Sequence, residues 1–426
     1  MHEPPRLPLE RHRLDNGLQI VLQPDEALPL VAVNLWYHVG SRDEQPGRTG
    51  LAHLFEHMLF QGSGNVGTND HFRYVQQVGG VANGSTWLDR TNYYETMPSH
   101  QLDLALWLES DRMGFLLPAL DQAKLDRQRD VVLNERRQTV DNQPYGRAGE
   151  RLYELNFPLP HPYHWPVLGY PPDLEATTLE DVESFFRRFY APDNAVLTLA
   201  GDFEPRQAVD SIERYFGDLP RGPGVEAPVP PATTRPLGEV RETMADSVEL
   251  TRIYHAWTLP AYGERAWYVA DMLAAVLAEG KSSPLYRELV YERQLAQDIG
   301  TYVLPTELGS MFLLVATARP DVEPDALERA LDDQLAAAAA RPADTGELER
   351  ARNHVRVDFL EQLQSLDQRA DLLSQLTTYF DDPERLDSEL NLYLDISADE
   401  IQALAADLLR PERRVALRVV PDTDNP

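Results

Sequence analysis

The chain has 426 residues, of which 42% are hydrophobic and 25% are charged, as in a globular protein with two or three domains. The absence of cysteine excludes disulfides and thiolate metal ligands, and the formal net charge of −30 argues against nucleic acid and anionic membrane surfaces as partners. No apolar run reaches the length of about 18 residues that a membrane span needs.

The cellular compartment of the protein and the role of its acidic charge each have two alternative explanations. The N-terminus has no apolar secretory segment, which favours the cytoplasm, and a periplasmic protein whose leader has been removed is the alternative. The acidic charge is explained either by solubility or by a cavity that favours basic peptides.

The first predicted elements are two strands, at residues 18–23 and 30–40, which are rich in β-branched and aromatic residues. A helix follows over residues 51–63, with Thr49 as its expected N-cap and Gly62 near its end. Its apolar residues recur at i, i+3, i+4, i+7 and i+8, which predicts one buried stripe.

The other side of this helix carries His53, Glu56 and His57. Histidines one turn apart can bind the same zinc ion, and the adjacent carboxylate is placed to take a proton from a water molecule. This H-x-x-E-H order is the inverse of the H-E-x-x-H zinc motif. Because the pattern is short, a solvated histidine pair on a helix surface is the alternative at this point.

The next predicted elements are a helix at 70–78, strands at 81–86 and 91–97, and helices at 102–116 and 123–140. Glu135 lies on the least charged face of the last helix, beside Val131, Val132 and Gln128. Burying an unpaired charge is costly, so Glu135 is expected to face either a metal ion or an arginine from a neighbouring element.

A Pro-rich stretch at 217–237 predicts a linker between two domains, 1–216 and 238–426. The two halves look like diverged copies, because the capping-box pairs Thr178/Asp181 and Ser397/Glu400 recur at an offset of 219. In the second copy, the segment 267–279 matches the first motif helix without its histidines, and Asp358 takes the position of Glu135.

The remaining histidines are not expected to form a second cluster. His161 and His164 lie in a Pro-rich loop, where a structural role is expected, and His100 is expected at the start of a helix.

With its other motifs, the chain resembles the zinc endopeptidases related to pitrilysin, insulin-degrading enzyme and mitochondrial processing peptidase, in a short bacterial form. The resemblance covers nearly the whole chain. It rests on the segments GLAHLFEHMLFQGS, Gly80–Asn83, Thr91–Tyr94, FYAPDNAVLTLAGDF and GKSSPLYRELVYERQLA, and on Glu135, which follows His57 by 78 residues.

The resemblance implies an α+β fold with two homologous α/β-roll domains, each a mainly antiparallel sheet with helices packed on one side. It implies one zinc ion per chain, bound by His53, His57 and Glu135, with Glu56 as general base. It also implies a substrate strand at the sheet edge, which takes an extended peptide by strand addition. Its residues are Val81, Ala82, Asn83, Gly84 and Ser85.

Three departures from the family pattern concern four positions. Gln128 stands where many relatives have a glutamate that supports the metal ligands, and Gly84 stands where alanine is common, which predicts a looser cleft. Val290 and Gln297 stand where relatives that work alone have a substrate-contacting Arg and Tyr. The resemblance therefore implies a heterodimer with a second chain of the same fold that lacks the zinc motif, in preference to a homodimer.

The expected function is zinc-dependent cleavage of unfolded peptides inside a closed chamber. The alternative is a non-catalytic assembly subunit of a peptidase-like heteromer.

Overall fold

The computed structural model describes residues 7–226 and 238–422. The described chain forms two compact units, each built from discontinuous segments. The first unit comprises residues up to 135, 165–226 and 360–388, and the second comprises 136–164, 238–359 and 389–422. Within these residues, no helix is both long enough and apolar enough to cross a lipid bilayer.

The first unit contains a six-stranded sheet in the order β1-β2-β6-β3-β5-β4. The β2–β6 pair is parallel and the other four adjacent pairs are antiparallel, so β4 forms one edge. The strands are β1 (Glu10–Arg13), β2 (Gln19–Pro24), β3 (Leu30–Tyr37), β4 (Val81–Thr86), β5 (Thr91–Pro98) and β6 (Ala195–Gly201).

Eight α-helices belong to the described part of the first half of the chain. They are α1 (Leu51–Met58), α2 (Asp70–Gln77), α3 (Leu102–Phe115), α4 (Gln122–Arg136), α5 (Gly146–Asn156), α6 (Pro171–Ala176), α7 (Leu179–Phe189) and α8 (Pro205–Phe216). The helix predicted to reach residue 140 continues beyond α4 as a π-helical segment, Arg137–Asp141. The core of the unit lies where Val33 and Leu35 of β3 meet Leu54 and Phe55 of α1.

The second unit contains a five-stranded sheet in the order β7-β11-β8-β10-β9. Its strands are β7 (Val240–Asp246), β8 (Arg252–Leu259), β9 (Ala296–Val303), β10 (Ser310–Ala318) and β11 (Val415–Pro421). This order, with a parallel β7–β11 pair, repeats the order β2-β6-β3-β5-β4 of the first sheet. The predicted α+β class with two similar sheets is confirmed, and the repeated topology supports duplication.

Six α-helices belong to the described part of the second half of the chain. They are α9 (Arg265–Ala278), α10 (Pro324–Ala340), α11 (Thr345–Gln364), α12 (Leu366–Phe380), α13 (Leu386–Leu394) and α14 (Ala398–Leu408). Both predicted capping boxes form, at Thr178/Asp181 before α7 and at Ser397/Glu400 before α14.

Each sheet is also covered by a helix from the other half of the chain. Helix α5 packs against β8 and β11, and helix α12 packs against β3 and β6. Asp371 of α12 accepts hydrogen bonds from Trp36 (2.8 Å), Asn92 (2.9 Å) and Asn34 (3.1 Å). Asn34 and Trp36 alternate with the core residues of β3, so α12 covers the face opposite α1. This layer is additional to the one-sided helix layer that the resemblance implies.

The predicted linker falls partly outside the described residues. Residues 217–226 form no helix or strand, and residues 227–237 lie outside the described residues. The division into domains at 216 and 238 stays a prediction about the two copies. The compact units follow a different division, because α5 belongs to the second unit and α12 belongs to the first.

Candidate metal centre

Helix α1 has the buried apolar face that its sequence predicts. Leu54, Phe55 and Met58 are fully buried in the core of the first unit. His53 and His57 lie on the other side, with ring centroids 4.8 Å apart. The side chain of His53 is 11% exposed and that of His57 is 23% exposed, so both rings stay accessible at a largely enclosed surface.

The start of α1 differs from the prediction. Gly50, with φ of 84°, takes the N-cap position, and a Cβ there would lie 2.7 Å from a neighbouring backbone oxygen. The Thr49 hydroxyl, predicted to cap the helix, donates instead to Asp173 (2.7 Å). The N–H groups of Gly50 and Ala52 donate to the buried Glu44 carboxylate, at 2.8 Å each. An acidic cap six residues upstream does not follow the sequence spacing of a capping box.

Helix α4 brings Glu135 to the two histidines. Leu125 and Val132 are fully buried and anchor α4 in the core, which leaves Glu135 facing α1. Its Oε2 atom lies 3.3 Å from Nε2 of His53 and 3.2 Å from Nε2 of His57. The three side chains that the sequence singled out therefore meet at one point.

The separations between Glu135 and the two histidine nitrogens fit ligands of one tetrahedral metal ion. Zinc binds imidazole nitrogen and carboxylate oxygen at about 2.0–2.2 Å, which places two tetrahedral ligands about 3.3–3.6 Å apart. The measured separations from Glu135 to the rings, 3.2 and 3.3 Å, are close to this range. His53, His57 and Glu135 would hold the ion, and catalytic zinc sites with three protein ligands use a water molecule as the fourth ligand.

The charges of the site also favour a cation. Burial lowers the pKa of His53, but its contacts with Glu135 and Glu56 outweigh burial and raise the pKa to about 9. Hydrogen bonds from His53 and His57 hold the pKa of Glu135 well below its usual range. The two carboxylates thus stabilise positive charge at this point, which a bound metal ion would supply.

Glu56 lies beside the ligands without being one of the three convergent groups. Its Oε2 atom is 3.4 Å from Nδ1 of His53, and it accepts a hydrogen bond from the Thr86 hydroxyl at 2.7 Å. Burial raises the pKa of Glu56, but contacts with His53, Thr86 and His57 outweigh burial and lower it. The carboxyl group is therefore ionised near neutral pH and able to accept a proton.

Strand β4 lies at the sheet edge, next to α1. Its first residue, Val81, is 67% exposed, and Asn83 is also exposed. A Cβ at Gly84 would lie 3.3 Å from Cγ of Glu56, so the strand passes close to the proposed base. All five residues predicted to bind substrate lie on this strand: Val81, Ala82, Asn83, Gly84 and Ser85.

The residues that depart from the family pattern have different surroundings. Gln128 is buried on α4, two turns before Glu135, and its support of the ligands stays a prediction. Val290 packs against the core of the second unit, and Gln297 is exposed on β9.

A cluster of one histidine and two carboxyl groups, which the sequence did not indicate, is buried in the first unit. His71, Glu95 and Glu109 come from α2, β5 and α3, and Nε2 of His71 lies 3.0 Å from Oε1 of Glu95. Arg112 pairs with Glu109 within the cluster. Burial and Arg112 lower the pKa of His71 to about 3, so its ring is neutral. Because the guanidinium already supplies the positive charge, we assign no metal to this cluster.

The loop histidines have contacts that fit the structural role predicted for them. Nδ1 of His161 accepts from the Tyr163 N–H at 3.1 Å, and Nδ1 of His164 lies 2.9 Å from the Phe157 carbonyl oxygen. His100 lies in the short turn before α3.

Two family models match the chain. The model described as Insulinase (Peptidase family M16) matches residues 19–157, and the model described as Peptidase M16 inactive domain matches residues 176–355. The chain is 28% identical over 425 residues to Zinc protease PqqE of Helicobacter pylori, an alignment that covers 99% of this chain and 95% of that protein.

Solved structures show the same fold. The crystal structure of a protease from Helicobacter pylori has a TM-score of 0.91 at 28% identity, and the match covers 97% of this chain and 100% of that chain. The crystal structure of a peptidase M16 inactive domain from Pseudomonas fluorescens has a TM-score of 0.88 and covers 98% of both chains. Its 18% identity supports the fold alone.

Proposed function

This chain belongs to peptidase family M16, and from that premise we propose that it is a zinc-dependent endopeptidase acting on unfolded peptides. The observation that carries the proposal is that the Nε2 atoms of His53 and His57 both lie within 3.3 Å of Oε2 of Glu135. We assign these residues as the ligands of one zinc ion per chain and Glu56 as the general base.

The roles of the side chains follow from their positions. A bound zinc ion would supply Lewis-acid chemistry, polarising the scissile carbonyl and lowering the pKa of a water molecule. Glu56, which is ionised and held beside the ligands, takes the proton of the attacking water and then gives a proton to the leaving amine. The enclosed setting of Glu56, with 12% of its side chain exposed, limits competition from bulk water.

Strand β4 is the proposed substrate site. The Trp87 N–H donates to the Arg90 carbonyl oxygen (2.8 Å), so residues 87 and 90 form a hydrogen-bonded pair. In an antiparallel ladder, hydrogen-bonded pairs alternate with non-hydrogen-bonded pairs. The backbone N–H and C=O groups of residues 82, 84 and 86 therefore point away from β5, towards the free edge of the sheet. The Gly84 N–H donates to the side chain of Asn83 (2.9 Å) and is available for exchange with a peptide carbonyl. An extended peptide added here would run past Glu56.

We also propose that the active assembly contains a second chain of the same fold that lacks the zinc motif and helps to enclose the substrate. Support comes from Val290 and Gln297, which replace the Arg and Tyr of relatives that work alone. Adding such a chain should raise kcat/KM at least tenfold. Equal activity of the purified chain alone would contradict the heterodimer.

The proposed function is tested by metal content and peptide cleavage on the same sample. We expect about one zinc per chain, cleavage of an unfolded basic peptide with or without a candidate partner, loss of cleavage on chelation, and recovery with added zinc. His57→Ala should lose both zinc and activity, whereas His100→Ala, an exposed histidine in the same unit, should retain both.

A non-catalytic assembly subunit is the rival function. The complete set of two imidazoles, a third carboxylate ligand and an adjacent base favours catalysis over that alternative. Zinc-loaded protein that cleaves no unfolded peptide, alone or with a partner, would support the assembly role instead.

A further inference from the structure

The substrate strand and the general base are joined by one hydrogen bond. The Thr86 hydroxyl, on the last residue of β4, donates to Oε2 of Glu56 at 2.7 Å. A hydrogen bond to an ionised acceptor is short and among the stronger kinds in proteins. The hydroxyl therefore restricts the rotamers of the Glu56 side chain.

The register of β4 gives Thr86 two roles at once. Its backbone N–H and C=O groups face the free edge, because residues 82, 84 and 86 alternate with the residues of β4 whose backbone groups bond to β5. Its side chain faces α1, as the contact with Glu56 shows. A peptide that adds to this edge would thus bind the same residue that holds the base.

Gly84, two residues earlier, has the same orientation. A Cβ at this position would lie 3.3 Å from Cγ of Glu56 and 3.2 Å from the Asn92 carbonyl oxygen. The missing side chain leaves room for the Glu56 methylene groups to lie against the strand, while Thr86 holds the carboxylate end.

The neighbouring hydroxyl does not replace Thr86 in this role. Thr91 on β5 lies opposite Thr86, and its hydroxyl donates to the Val39 carbonyl oxygen at 2.9 Å. The distance from Thr91 Oγ1 to Thr86 Oγ1 is 3.5 Å, which is at the limit of a hydrogen bond. The strong donor to Glu56 on β4 is therefore Thr86.

We propose that Thr86 is a positioning residue that holds Glu56 in the orientation needed for proton transfer and links that orientation to the strand that binds substrate. This inference rests on the proposed function, because it assigns a role to Thr86 only if Glu56 is the base. Thr86 acts through Glu56 and need not touch the scissile bond.

The test compares Thr86→Val, which removes the hydroxyl, with Thr86→Ser, which keeps it. Loss of one hydrogen bond to a charged group corresponds to a fall of about 10–100-fold, and we expect that fall in kcat of Thr86→Val, with KM changed less than threefold. Thr86→Ser should recover kcat to within about threefold of the wild type. Thr96→Val is the matched control, since Thr96 lies on the opposite face of β5 and has no side-chain hydrogen bond among the described residues.

Two further readouts do not depend on activity. Zinc content and affinity should be the same in Thr86→Val and wild type, because Thr86 bonds Glu56 and none of the three ligands. A crystal structure of zinc-loaded Thr86→Val should show the Glu56 carboxylate displaced, and Thr86→Ser should show it in place.

The outcomes separate this inference from the proposed function. Unchanged kcat in Thr86→Val, a loss confined to KM, or an undisplaced Glu56 carboxylate would overturn the positioning role while zinc-dependent cleavage by the wild type stands. Absence of cleavage by the wild type would overturn the proposed function, and the role of Thr86 with it.

Discussion

Glu56→Gln separates proton transfer from metal binding. Glutamine has the same size as glutamate, and its side-chain oxygen can still accept the Thr86 hydrogen bond, which measures 2.7 Å in the wild type. Glu56 is outside the set of three convergent ligand atoms, so the variant should retain zinc. What it loses is a basic carboxylate beside the attacking water.

The expected size of the effect follows from that single loss. General acid–base catalysis contributes about 10²–10⁴-fold, and each tenfold change in rate corresponds to about 1.36 kcal/mol of activation free energy. Glu56→Gln should therefore raise the barrier by about 3–5 kcal/mol and lower kcat/KM by at least a hundredfold.

The assay follows cleavage of an internally quenched unfolded peptide, with zinc measured on the same sample. Glu175→Gln makes the same chemical change at an exposed position of the first unit and should match the wild type. Zinc-loaded Glu56→Gln that keeps more than a tenth of wild-type kcat/KM would refute the assignment of the base.

Three further predictions address the ligands, the charge of the site and the fold. Glu135→Gln should weaken zinc binding more than about 100-fold, because a neutral amide replaces the carboxylate ligand. Competition with a zinc indicator measures the affinity, and an unchanged affinity would exclude Glu135 as a ligand. In the metal-free protein the carboxylates raise the pKa of His53 from 6.5 to about 9. Protonation of His53 in the folded state therefore makes its full contribution to the free energy of unfolding below pH 6.5, and that contribution is lost as the pH rises through 9. Urea midpoints of chelated protein should fall over this interval, and a midpoint that rises instead would contradict the charge assignment. Asp371→Ala removes the acceptor of three N–H donors and should cost about 2–4 kcal/mol in urea unfolding, whereas the exposed control Asp387→Ala should cost less than about 0.5 kcal/mol.

The parts of the structure that depend on local periodicity were predictable. The buried stripe of α1 and the capping boxes of α7 and α14 follow from residues three or four positions apart, and the structure confirms them. The charge argument left Glu135 facing either a metal ion or an arginine, and the family resemblance grouped it with the two histidines. In the structure, α1 and α4 bring these three side chains together.

Features that depend on distant contacts were not predictable in the same way. The Glu44 cap of α1, the buried His71 cluster and the Asp371 contact of α12 each join segments without a shared sequence pattern. Thr86 belongs to this group as well, since nothing in β4 indicates that its hydroxyl reaches Glu56 on α1. Only the pairing of strands and the packing of helices determine these contacts.

Zinc-edge anomalous diffraction from crystals of the zinc-loaded protein tests the central claim most directly. One peak should lie about 2.0–2.2 Å from Nε2 of His53, Nε2 of His57 and a carboxylate oxygen of Glu135. A stoichiometric peak at any other position, or a peak here that lacks Glu135 as a ligand, would contradict the proposed metal centre.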